Sequence, residues 1–245
     1  MEQAFLDSPA GRRLAYNRHE GRGPWVVFLG GFKSDKEGTK AIALEEWAVS
    51  RGQSYLRFDY SGHGSSSGAF TDGSIGDWAE DAAAAINALT DGPPVLVGSS
   101  MGGWISLLMA RAMPLAGLVT IAAAPDFTED SMWAGFSPAQ RAALDADGQI
   151  ALPSDYGEDY IITRRLIEDG RQNLVLRDPL ATDAPVRMLQ GTADADVEMA
   201  VALRLLDHLQ GDDIRLDLVK GADHRFSDQR CLDLIIARLE EVLDA

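Results

Sequence analysis

The sequence predicts an α/β fold, a mostly parallel twisted sheet with helices on both faces. Three observations carry this. Short, almost wholly apolar runs (WVVFLG at 25–30, PVLVGS at 94–99, LAGLVTIAAA at 115–124) read as strands buried on both sides, the pattern of parallel sheets. Segments of helical periodicity alternate with them. The chain has 245 residues, of which 46 % are hydrophobic, enough for one domain of this class with a substantial core.

Taken in order, residues 5–19 read as one or two edge strands around a turn at Pro9-Ala10-Gly11. After the strand at 25–30, residues 36–50 place Ile42, Leu44, Trp47 and Val49 in a helical pattern closed by Gly52. SYLRFDY (54–60) is the next strand, and 75–89 a helix with Ser74 as its cap. The strand at 94–99 leads into a helix that Pro114 stops, and 115–124 is again a strand. PVRMLQG (185–191) and IRLDLVKG (214–221) are the last two strands, with helices at about 198–210 and 228–243. No internal repeat or low-complexity segment is present. Residues 125–184 break the rhythm, with no clear buried strand and helix-like pieces near 138–145 and 158–169. An insertion there suits a helical lid over the C-terminal edge of the sheet, where open α/β folds bind ligands. Its aromatics Trp133, Phe136, Tyr156 and Tyr160 are the expected substrate-binding residues.

Composition excludes several functions. The formal net charge is −16 and no basic stripe offsets it, which argues against nucleic acid as a partner. A single cysteine, Cys231, rules out an intrachain disulfide and fits a reducing compartment. The first residues lack the basic-then-apolar pattern of a signal peptide, and no apolar run is long enough to span a membrane. A cytoplasmic protein is expected on these grounds. The sequence does not set the oligomeric state.

The chemistry centres on Gly98-Ser99-Ser100-Met101-Gly102, a G-x-S-x-G between a strand and a helix. The pattern resembles the nucleophile elbow of the α/β-hydrolases, a turn so sharp that the flanking residues have to be small, with the Ser100 hydroxyl expected to stand exposed above the sheet edge. Serine needs a base within hydrogen-bond reach, and the base needs an orienting carboxylate. Of the four histidines, His19 sits in an N-terminal polar turn and His208 within a helical pattern. His63, in SGHGSSS, comes too early for the Ser–Asp–His order of this fold and reads as a solvated loop residue. His224, in KGADHRF after the final strand, is the expected base. The turn after PVRMLQ offers two carboxylates, Asp194 and Asp196; Asp194 is favoured, with Asp196 left to cap the following helix. The oxyanion hole needs two backbone N–H donors, which fall to Met101 and to Phe32 in the GGFKSD loop. No metal or organic cofactor is implied, since the chain has no HExxH, no cysteine pair and no well-placed GxGxxG.

Together these residues resemble the α/β-hydrolase superfamily. Within it, the chain resembles one branch, the α/β-hydrolase-domain acyl-protein thioesterases that also cleave acyl glucuronides. The resemblance lies in FLGGFKSDKEGTKAIALEEWAVSRG, RFDYSGHGSSSG, LVGSSMGGW, GTADADV and the DHR of GADHRFS, which cover most of 25–124 and short stretches after 185. Pairing KSD-x-x-GTKA with RFDYSGHGSS is far more specific than G-x-S-x-G alone. The resemblance implies that Ser100 is the nucleophile, Asp194 the acid and His224 the base, acting on a small-molecule or protein-linked acyl ester or thioester. The chain departs from common superfamily patterns at Gly30, where many members have His, and at Glu198, where many have Pro. Animal members of the branch are mitochondrial; no Arg-rich, acid-poor presequence is seen here, which reinforces the cytoplasmic expectation. The same triad also serves hydrolases of carbon–carbon bonds and cofactor-free haloperoxidases, and the fold hosts ligand receptors that do not turn over.

Overall fold

A computed structural model describes residues 2–153 and 159–245. The main sheet has eight strands: β1 (Ala4–Asp7), β2 (Arg13–His19), β3 (Arg22–Leu29), β4 (Gln53–Phe58), β5 (Val95–Ser99), β6 (Gly117–Ile121), β10 (Val186–Gly191) and β12 (Ile214–Val219). Their order is β1-β2-β4-β3-β5-β6-β10-β12. All pairs from β4 through β12 are parallel, and only β1–β2 and β2–β4 are antiparallel. The β1–β2 hairpin turns where Pro9-Ala10-Gly11 predicts, with the Gly11 amide donating to the Ser8 carbonyl.

Strand alternation divides the core into two layers. Val26 and Phe28 of β3 join Val95, Val97, Val119 and Ile121 on the face covered by α1 (Thr39–Arg51) and α7 (Gln229–Leu243). Val27 and Leu29 join Leu56, Phe58 and Leu96 on the opposite face, under α2 (Ile75–Leu89), α3 (Met101–Ala112) and α6 (Met199–His208). The interiors of β3, β5 and β6 are therefore buried on both sides, which is why they read as continuous apolar runs. Among the described residues, no helix is long and apolar enough to cross a membrane.

Three local expectations are corrected. Helix α1 starts at Thr39 rather than 36, and buries Ala41, Leu44, Glu45 and Ala48 while Val49 faces solvent. Glu45 is tolerated inside because it pairs with the buried Arg57. Ser74 does sit at the N-cap of α2, but its hydroxyl lies 2.6 Å from Asp77 Oδ2, so it donates to that carboxylate instead of accepting a backbone amide. The piece near 158–169 is only partly helical: β8 (Tyr160–Thr163) pairs antiparallel with β7 (Gln149–Leu152), and α5 (Arg164–Gln172) follows.

The rest of the excursion between β6 and β10 holds a π-helical turn at Thr128–Trp133 and α4 (Pro138–Asp147), which starts at a Ser137/Gln140 capping box with proline in its first turn. A short β9 (Leu180–Ala181) pairs with β11 (Leu209–Gln210). The two ends of the excursion meet at Asp126. Its buried carboxylate accepts the amides of Val175 at 2.7 Å and Leu176 at 3.0 Å and takes Arg177 at 3.0 Å.

Candidate active site

Strand β5 ends in a turn that only this sequence pattern permits. Ser100 has φ +54° and ψ −116°, a strained conformation for a residue with a side chain. It is held by its neighbours: the Ser100 amide donates to the Ile121 carbonyl at 2.9 Å, and its carbonyl accepts the Gly103 and Ala124 amides at 2.9 and 3.1 Å. A Cβ on Gly98 would lie 2.1 Å from Ser106 Oγ, and one on Gly102 would lie 2.0 Å from the Leu29 carbonyl oxygen. The second clash is with backbone of a central strand that has nowhere to move. Gly102→Ala is therefore expected to cost about 3 kcal/mol of stability, read as a lower urea midpoint at unchanged slope.

Three side chains from three strand ends converge on one line. His224, in the loop after β12, places Nε2 3.1 Å from Ser100 Oγ and Nδ1 2.9 Å from Asp194 Oδ2. Asp194 follows β10. Its side chain is fully buried, and its Oδ1 accepts the Asp196 and Val197 amides at 2.9 and 2.8 Å. Burial works against the charge on Asp194, but the hydrogen bonds from His224, Val197 and Gln190 outweigh it and hold the carboxyl below its usual range. The structure brings Asp194 to the imidazole and leaves Asp196 exposed at the cavity wall. Asp196 does not cap α6, whose N-cap position is Glu198.

Sequence reasoning passed over two residues here. Gln190, fully buried, donates from Nε2 to Asp194 Oδ2 at 3.0 Å and to the Val197 carbonyl at 3.1 Å, so it braces the carboxylate turn. A polar amide at the C-terminal end of the VRMLQG strand, just before the carboxylate turn, was its signal. His63, read as solvated, is buried. The remaining histidines are peripheral: His19 ends β2, and His208 bonds the Val175 and Asp178 carbonyls through Nε2.

Ser100 and His224 open onto a cavity of about 440 Å³. Phe32, Phe127, Met132, Tyr160 and Val197 supply apolar wall, and Lys33, Lys40 and Arg225 a cationic rim. Burial pushes the Lys40 ammonium down to about 8, even with Asp223 nearby. Met101, as first residue of α3, has its amide ahead of the first intrahelical hydrogen bond. The Phe32 amide meets no acceptor among the described residues. Of the four aromatics expected to touch substrate, Tyr160 lines the cavity; Tyr156 lies outside the described residues. Trp133 and Phe136 are not on the cavity wall: the Trp133 ring is flanked by the guanidinium groups of Arg141 and Arg171, and Phe136 is buried. In the π-helical turn it is Met132 that lines the cavity, next to the expected Trp133. Among the described residues, Asp194, Asp196 and His224 are the one histidine–carboxylate group compact enough to hold a cation, and two of its ligand atoms are engaged with each other.

Residues 26–239 match the model of the alpha/beta hydrolase family. The chain belongs to this family. The hydrolase is also similar to the protein named palmitoyl-protein thioesterase ABHD10, mitochondrial, of Rattus norvegicus, at 33 % identity over 98 % of this chain and 82 % of the relative. Among solved structures, a protein from Agrobacterium vitis S4 superposes with a TM-score of 0.95 at 38 % identity, covering 99 % of this chain and 98 % of that one. Alpha/beta hydrolase domain-containing protein 10 from mouse superposes at 0.91 and 31 % identity, covering 100 % and 99 %. The chain is accordingly an enzyme, a hydrolase of this family. The cytoplasmic expectation is overturned by the same comparison, because the curated relatives are named as mitochondrial proteins. Net charge and cysteine count report solubility and redox tolerance, and neither encodes an address.

Proposed function

We propose that this hydrolase cleaves acyl thioesters and carboxylic esters through an acyl-enzyme on Ser100. His224 takes the proton of Ser100 Oγ as that oxygen attacks the acyl carbonyl. The carbonyl oxygen becomes an oxyanion facing the amides of Phe32 and Met101. As the intermediate collapses, the carbon–sulfur or carbon–oxygen bond breaks and His224 returns the proton to the departing thiol or alcohol. A water molecule then gives its proton to His224 and attacks the acyl-enzyme, and His224 passes that proton to Ser100 Oγ as the Oγ–acyl bond breaks and the acid leaves. Asp194 keeps the imidazole in the tautomer with Nε2 free and stabilises its cation. The observation that carries this reading is one imidazole bonded to Ser100 on one nitrogen and to a buried carboxylate on the other.

The excursion after β6 serves as the lid in this reading, and Phe127, Met132 and Tyr160 form the acyl wall. The relatives' name makes a long-chain acyl thioester the first substrate to try. The experiment is intact-protein mass after a fluorophosphonate, then turnover of p-nitrophenyl and S-acyl substrates of increasing length. One adduct on Ser100 with turnover supports the proposal; folded protein with neither favours a ligand receptor. Met132→Trp is expected to lower kcat/KM on long acyl chains at least about tenfold while acetyl ester turnover stays within about twofold. Equal losses on both would place the acyl wall elsewhere.

A further inference from the structure

Two loops from adjacent strands meet beside Ser100. Residues 30–38 follow β3 and carry Phe32, and residues 59–69 follow β4. Asp59 ties them by accepting the Lys36 amide at 2.6 Å and the Ser65 amide at 2.8 Å. The second tie is His63. Its Nε2 lies 3.3 Å from the Lys33 amide nitrogen, and its Nδ1 lies 3.1 Å from the Ser61 carbonyl oxygen. An amide only donates and a carbonyl only accepts, so both contacts are made by one form of the ring, neutral and protonated on Nδ1. Burial favours that neutral form and holds His63 down to about 4, against the opposing pull of its bond to Ser61.

The anchor behind the ring is firm. The Ser61 amide and hydroxyl both donate to Asp81 Oδ2, and Arg12 binds the other Asp81 oxygen at 2.6 Å. The imidazole is packed edge-on against Tyr60, Phe70 and Trp78. What it holds is strained: Lys33 has φ +57°, a left-handed conformation that a non-glycine residue keeps only where its surroundings enforce it. Lys33 directly follows Phe32, so fixing the Lys33 amide fixes the peptide plane next to the proposed oxyanion donor.

We propose that His63 is a positioning residue for acyl transfer: accepting the Lys33 amide on Nε2, it aims the Phe32 amide at the oxyanion. This rests on the assignment of Ser100 and Phe32 made above. It also gives a physical reason for the pairing of KSDKEG with RFDYSGHGSS in one sequence, since each loop is shaped by the other.

The test compares His63→Asn, which keeps a donor for Ser61 but falls short of Lys33, with His63→Gln, whose Oε1 reaches the Nε2 position. Each is measured for kcat and KM on p-nitrophenyl butyrate. Each is also measured for affinity toward a trifluoromethyl ketone, which binds as a tetrahedral oxyanion, and toward the matching secondary alcohol, which does not. The expectation for His63→Asn is a kcat about 100-fold lower with KM nearly unchanged, a parallel loss of ketone affinity and unchanged alcohol affinity. His63→Gln recovers at least about tenfold of that loss. Asn turnover within about threefold of the parent, or alcohol affinity falling together with ketone affinity, overturns the inference. Fluorophosphonate mass on the parent separates the two levels: no adduct sinks the Ser100 assignment and this inference with it, whereas an adduct alongside unchanged Asn turnover sinks this inference alone.

Discussion

Ser100→Ala yields a protein that folds and melts like its parent and has lost about 10⁶-fold in kcat on esters and thioesters. The size follows from what the alcohol supplies. Without Oγ there is no acyl-enzyme, and the imidazole 3.1 Å away can only activate water from a position built for another partner. Binding and the two proposed oxyanion amides remain, so residual hydrolysis above the uncatalysed rate persists. Stability is spared because Ser100 carries its strain in the backbone, and the bonds from Gly103 and Ala124 to its carbonyl do not involve the side chain. Turnover kinetics with a parallel thermal melt check this. A variant that unfolds would identify the hydroxyl as structural.

Asp194→Asn lowers kcat about 10³- to 10⁴-fold, whereas Asp196→Asn changes it less than about threefold. The asparagine fits the same space, but one face of its side chain is a donor. Oδ1 is already committed to two backbone amides, so Nδ2 faces His224 Nδ1 and selects the tautomer with its proton on Nε2, the wrong one for accepting from Ser100. It is Asp194 Oδ2 that lies 2.9 Å from His224 Nδ1, whereas the Asp196 side chain lies exposed at the cavity wall. The substitution also removes a carboxylate whose folded-state pKa lies below its unfolded value. Such a group stabilises the fold above the unfolded pKa and loses that contribution as pH falls through the folded one, so the stability of Asp194→Asn declines less steeply on acidification than that of the parent. Reversed activities of the two variants would move the acid by two positions.

What could be read in the chain follows from how local each constraint is. The elbow is legible because its glycines are required by contacts within a few residues and one adjacent strand. The order Ser100, Asp194, His224 is legible because each follows a run whose pattern names a strand end, continuous and apolar before Ser100 and alternating in IRLDLV before His224. The β7–β8 hairpin is not, because QIAL and YIIT are four-residue pieces whose pairing partners, not their composition, make them strands. His63 was misread for the same reason. Its immediate neighbours are glycine and serine, but the aromatic rings that bury it come mostly from positions 70 and 78. Trp133 was expected at the site as one of the aromatics of the insertion; two arginines flank it, and Met132 lines the cavity instead.

The meeting of both ends of the β6–β10 excursion on one aspartate has a consequence for how such a chain can change. Asp126 holds residues 49 positions apart at a single carboxylate, and the segment between them is also tied to the helices on the sheet, Asp169 accepting the Gly76 amide and the Asn173 carbonyl accepting from Trp104. Lengthening the segment where it makes no such tie adds only closure entropy, which grows logarithmically, about 0.6 kcal/mol for a doubling. Phe127, Ser131, Met132 and Tyr160, the residues this stretch contributes to the cavity, can therefore vary in setting while those ties are kept. Grafts of different length between Asp126 and Val175 that preserve them should fold and alter which acyl groups are accepted, while the ends of the parallel strands keep their geometry.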